Sequence, residues 1–71
     1  MPGSVYKVIE VIGTSPTSFA EAAKAAVDKV AAHVKDLRVA EVVEFDMKIE
    51  DNKVVAYRAK VKVSFKYHDE F

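Results

Sequence analysis

Residues 39–67 read VAEVVEFDMKIEDNKVVAYRAKVKVSFKY. In the second half Val55, Tyr57, Ala59, Val61, Val63, Phe65 and Tyr67 alternate with Arg58, Lys60, Lys62, Ser64 and Lys66, the period of two expected of a strand with one buried and one solvated face. In the first half Val43, Phe45, Met47 and Ile49 alternate with Glu44, Asp46, Lys48 and Glu50. Glu50-Asp51-Asn52-Lys53 lies between, and Asp and Asn tolerate the backbone angles of a tight reversal. The pattern predicts a long antiparallel hairpin, with strands at Val39–Glu50 and Lys53–Tyr67. Its polar face is acid-rich on one strand and base-rich on the other, so cross-strand ion pairs should fix the register. Alternation lapses over Val39–Val43, where Ala40, Val42 and Val43 are all apolar, and a bulge or an interface would account for it.

Upstream, Val5–Ile12 carries Val5, Val8, Ile9, Val11 and Ile12 with Tyr6, and ends at the turn signal Gly13-Thr14-Ser15-Pro16. Ser18-Phe19-Ala20-Glu21 fits a capping box, with the serine accepting from the third helical amide and Glu21 reaching back to the cap. From Phe19 to about Asp36, Phe19, Ala23, Ala26, Val27, Val30 and Val34, followed by Leu37, form one apolar stripe. Glu21, Lys24, Asp28, Lys35 and Asp36 take the other face, and the alanines allow close approach to a sheet. The expected class is α+β, a βαββ chain whose three-stranded antiparallel sheet wraps one helix, in a single domain over residues 1–71.

Size then sets a problem. A chain of 71 residues without cysteine buries only about 60% of its unfolded surface and has no disulfide or thiolate-bound zinc to compensate. A 14-residue strand also runs roughly 46 Å, against about 27 Å for an 18-residue helix. One helix cannot cover such a sheet, so the overhang must curl around it or dock on other subunits. Self-association is the expected solution.

Composition narrows the function. Eleven basic and eleven acidic residues cancel, which removes the field a nucleic-acid binder uses. No stretch approaches the roughly 20 apolar residues of a membrane span, and residues 1–7 lack a leader's basic and apolar regions, so a cytoplasmic protein is expected. The tail His68-Asp69-Glu70-Phe71 reads as a frayed end. His33 and His68 fit no ligand spacing, and there is no cysteine and no nucleophile elbow, so the chain is read as non-enzymatic. Gly13-Thr14-Ser15 offers an anion a helix N-terminus, but a capped turn is the simpler reading. Glu44, Asp46, Glu50 and Asp51 supply the hard oxygens that calcium or magnesium takes, without EF-hand spacing. Around a symmetry axis one carboxylate per subunit becomes several, so Glu44 and Asp46 are the candidate metal ligands; otherwise they are half of a solvated charge ladder. Glu41 lies in phase with Val43 and Phe45; an ion pair with Arg58, Lys60 or Arg38 of the same or a neighbouring subunit is preferred there over a ligand role, since an unpaired buried carboxylate is costly.

Taken together, Tyr6-Lys7-Val8, Gly13-Thr14-Ser15, Ser18-Phe19, Ala40-Glu41-Val42, Tyr57 and Val63-Ser64-Phe65 resemble the dodecin family, without a gap over nearly the whole chain. The resemblance implies a homododecameric hollow shell that binds flavin (FMN or riboflavin) or coenzyme A for storage or buffering, with no enzymatic activity. It also implies ligand-site residues at Val39, Glu41, Tyr57 and Arg58. Two of these depart from the flavin pattern: Val39 stands where the family stacks the isoalloxazine on a tryptophan, and Arg58 stands where a glutamine holds the ring edge. Valine offers no aromatic face, and a donor-only cation replaces an amide that both donates and accepts. Arg38-Val39-Ala40 and Tyr57-Arg58 are similar to the variant branch called calcium dodecins, whose ligand need not be a flavin. Arg58 is then free to pair with Glu41 or Glu44 and close the pocket. A cation-binding or purely structural assembly is the alternative function, with Glu41, Glu44 and Asp46 gathered near symmetry axes.

Overall fold

A computed structural model describes residues 3–66. The elements run β1 (Tyr6–Ser15), α1 (Phe19–Ala31), β2 (Leu37–Glu50) and β3 (Lys53–Lys66). The sheet is antiparallel in the order β1-β3-β2, so the last strand lies in the middle. This is the expected βαββ arrangement; Tyr67 and His68 lie outside the described residues.

Pairing and burial define two faces. Toward the helix point Ile9, Val11, Gly13 and Ser15 of β1, opposite Val63, Val61, Ala59 and Tyr57 of β3. Among the described residues the buried core is six, Ala22, Ala26 and Val30 of α1 against Ala59, Val61 and Val63 of β3. Half of them are alanines, which bring backbones close but contribute little apolar area. Ile9, Val11, Ala23, Val27, Val34 and Leu37 close the edges.

Gly13 explains why β1 outruns the expected end at Ile12. Gly13, Thr14 and Ser15 pair with Ala59, Arg58 and Tyr57, so the sheet takes up residues that read as a turn. A Cβ on Gly13 would collide with the Ala22 carbonyl and lie 2.9 Å from the Ala26 amide nitrogen. The glycine is there for helix packing within a strand. The reversal falls at Pro16-Thr17 instead, where the buried Ser15 hydroxyl accepts from the amides of Thr17 at 3.0 Å and Ser18 at 3.4 Å. Ser18 caps the helix, its hydroxyl accepting from the Glu21 amide at 3.0 Å. The capping box is therefore half realised: Ser15, rather than the Glu21 side chain, receives the amide of the cap residue.

The helix stops at Ala31, five residues before the expected Asp36. The Val30 carbonyl accepts from both His33 and Val34, which tightens the last turn, and Asp36 adopts φ 62° and reverses the chain. Aspartate tolerates this left-handed conformation. The Lys66 amide then donates to the Asp36 carbonyl at 3.2 Å. Val34 and Leu37 still pack on the core from outside the helix. Because they keep contacting the same surface, the helical spacing of apolar residues outlasts the helix.

The hairpin turns at Asp51 and Asn52, with φ 52° and 62°, the two positive values of a two-residue type I′ reversal. Register shifts occur between Leu37 and Val39, Val42 and Glu44, and Lys48 and Ile49. The second is the irregularity expected near Val43. Beyond Leu37 all of β2 is exposed, while the helix covers only part of β1 and β3. The 13-residue helix spans about 20 Å, against a molecular length of 56 Å with cross-dimensions of 20 and 17 Å. The far half of the β2–β3 hairpin is accordingly an uncovered arm.

Candidate functional site

The arm has two chemically different faces, and β3 sets both. On the helix side Ala40, Val42, Phe45 and Met47 of β2 stand opposite Val63, Val61, Ala59 and Tyr57. On the outer side Val39, Glu41, Glu44 and Asp46 stand opposite Ser64, Lys62, Lys60 and Arg58. Between Val42 and Glu44 the extra residue Val43 resets the alternation. Glu41 therefore does not share a face with Phe45, as a strict count of two suggests; it joins Glu44 and Asp46 on the outer ladder.

That ladder is internally neutralised. Arg58 grips Asp46 with two parallel bonds, Nε to Oδ1 at 2.6 Å and Nη2 to Oδ2 at 2.9 Å. This bidentate fork is the strongest ion-pair geometry available to a carboxylate. Its hydrogen bonding holds the Asp46 carboxyl below its ordinary range and raises Arg58. Lys60 Nζ lies 3.3 Å from Glu44 Oε1, and Lys48 Nζ 3.3 Å from Glu50 Oε2. The expected pairing of Arg58 with Glu41 or Glu44 is thus corrected to Asp46. The β3 partners of neighbouring ladder rungs are two positions apart, and Asp46 is the acid directly opposite Arg58.

The four residues assigned to a ligand do not meet in one protomer. Val39, 62% exposed, is opposite Ser64, whose hydroxyl donates to the Val39 carbonyl at 3.4 Å. Six residues of β3 separate that rung from Arg58, about 20 Å along a strand. Glu41 lies between them, opposite Lys62. Tyr57 points through the sheet to the other face, where its ring meets Phe19 edge-on at 5.0 Å, and Phe19 meets Phe45 at 4.8 Å. A ligand touching all four residues would have to bridge more than one chain.

Glu44 and Asp46 do share a face, but their charges are engaged by Lys60 and Arg58. Among the described residues no group of three or more His, Cys, Asp or Glu side chains is placed to hold a metal ion. An intact single-chain cation site does not fit these residues. The anion reading of Gly13-Thr14-Ser15 gives way to the capped turn already described. His33 is exposed just past the helix, and His68 lies outside the described residues.

Sequence reasoning missed the aromatic cluster of Phe19, Phe45 and Tyr57. Its signal was present, since Phe45 and Tyr57 fall on apolar-phase positions of strands too long for the helix, but the contact with Phe19 depends on where α1 starts. Phe45 and Met47 remain 52% and 48% exposed.

A half-covered βαββ sheet with a short core and a long two-faced arm defines a class of protein, a small chain whose hairpin projects beyond its helix. The chain belongs to the dodecin family, whose model matches residues 5–68. It is 52% identical over 63 residues to the calcium dodecin of Mycobacterium tuberculosis, covering 89% of each chain. Its fold matches the crystal structure of that organism's calcium dodecin, described as having a novel calcium-binding site, with TM-score 0.83 and 48% identity over 96% of this chain and 97% of the other. It matches the dodecin of Streptomyces coelicolor with TM-score 0.90 and 30% identity, over 99% of this chain and 100% of the other. Among the described residues no helix is long and apolar enough to cross a membrane.

Proposed function

We propose that this chain is the subunit of a non-enzymatic shell of its own copies that binds or stores a small ligand at sites completed between chains. The observation that carries the reading is the bare helix-side face of the arm. Phe45 and Met47 are 52% and 48% exposed, next to a core of only six buried residues among those described. An exposed apolar surface of this kind marks an association site. The scattering of Val39, Glu41, Tyr57 and Arg58 over two faces supports a binding site built from more than one copy. Homododecamer is the assembly that the family membership supports.

The ligand site differs from a flavin-stacking one. Val39 supplies no aromatic face, and Arg58 is held by Asp46 with two of its five N–H donors engaged. Coenzyme A remains the family's other cofactor class. Titration with riboflavin, followed by quenching of its fluorescence, is the test. Weak or absent quenching is expected, and a yellow preparation with submicromolar affinity overturns the altered-site reading.

Calcium is the second reading, favoured by the 52% identity to a calcium dodecin. Glu41, Glu44 and Asp46 are the candidate acids on the outer face of β2, and a cation must draw on several copies because Lys60 and Arg58 engage Glu44 and Asp46 within each protomer. Calorimetry with calcium and with magnesium decides. Heat of binding with a raised melting temperature is expected, and the absence of both counts against a cation role.

A further inference from the structure

The shape of the arm is under weak control from the core. Past Leu37 no residue of β2 is buried, and register shifts at Val42/Glu44 and Lys48/Ile49 bracket the segment 44–48. Each shift leaves a residue unpaired, bends its strand and raises local twist. Between the two bends the outer face is stitched by Lys60 to Glu44 and by the two-bond fork of Arg58 on Asp46. On the opposite face, alternating with these same acids, stand Phe45 and Met47, the most exposed apolar side chains of the stitched segment. A strand's two faces move together, so whatever fixes the outer rungs also aims the inner ones.

We infer that the Arg58–Asp46 fork, with Lys60–Glu44 beside it, is a brace that sets the curvature of the arm and thereby controls self-association through Phe45 and Met47. The inference rests on the proposed assembly and names what regulates it. Exposed ion pairs usually contribute little, but bidentate geometry and networks are the recognised exceptions. Here the fork has the geometry and the ladder supplies a second rung. The brace need not stabilise the protomer to matter, because a misaimed Phe45 lowers the fit of every contact it makes with another copy, and a closed assembly repeats that loss at each equivalent interface. Asp46 is thus a positioning residue for assembly, distinct from any role in holding a ligand.

Dilution series monitored by sedimentation, with far-UV circular dichroism on the same samples, test this on the full chain. Asp46→Asn should keep the spectrum of the parent while raising the concentration at which the assembly half-dissociates by about fivefold or more. Exchanging the charges, Asp46→Arg together with Arg58→Asp, should restore association toward that of the parent, which a role confined to cation binding would not produce, while the unchanged spectrum of Asp46→Asn separates the brace from a role in local folding. An Asp46→Asn chain that associates like the parent overturns the brace, as does a folded exchanged variant that stays dissociated. A parent chain that is itself a folded 7.9 kDa species at micromolar concentration removes the assembly reading and the brace with it, and is distinguished because it needs no variant.

Discussion

Gly13 has little freedom to change. Its hydrogen faces the Ala22 carbonyl and the Ala26 amide, so Gly13→Ala must push α1 off the sheet. Overpacking of this kind costs about 1–3 kcal/mol, and urea denaturation should show a lower midpoint with the slope unchanged, the slope times the shift giving that loss. Asp46 presents the opposite case, an exposed group whose effect depends on pH. Because Arg58 holds its carboxyl below the ordinary value of 3.8, the pairing favours the fold fully above that value and loses its contribution as pH falls below it. Thermal melts of the parent and of Asp46→Asn should therefore differ at neutral pH and converge in acid. If the gap stays constant down to the acid limit, the fork is not what separates them. Among these residues the identity of Arg58's partner was not legible beforehand. Glu41, Glu44 and Asp46 are chemically interchangeable acids, and only the register, shifted once at Val43, puts Asp46 opposite the guanidinium.

Elements differ in how much of them the chain announces. The β2–β3 hairpin was legible in its type and its turn, because alternation over many residues and Asp51-Asn52 at the reversal agree, although β2 begins at Leu37 and not at the expected Val39. Both turn residues sit at positive φ, which a β-branched side chain resists at about 1–2 kcal/mol. Asn52→Val should lower the melting temperature accordingly and leave α1 intact by circular dichroism; an unchanged melting temperature would mean the turn does not hold the hairpin. The helix start was legible through Ser18, while its end was not. Val34 and Leu37 continue the stripe from a turn and a strand, since a packing surface constrains side chains and not the backbone that carries them. Likewise Gly13-Thr14-Ser15 carries turn chemistry yet pairs with β3, since the sheet's hydrogen bonds outweigh local preference.

At the scale of the whole molecule the controlling fact is a 56 Å particle built on a six-residue core. Phe45→Asp should convert the assembly into a 7.9 kDa species without loss of helix signal, since Phe45 is outside the buried core and meets α1 at its first residue, Phe19. Sedimentation paired with circular dichroism reads both at once, and retained association would move the interface off the arm. The amino-acid order alone determined the element types, the antiparallel hairpin, the two-faced arm and the shortage of interior, because periodicity, turn chemistry and chain length are local or additive properties. Only the tertiary structure decided which acid meets Arg58, that Glu41 joins the outer ladder, and that Tyr57 lies across the sheet from Val39. Those depend on register, and one extra residue at Val43 exchanges the two faces of everything before it.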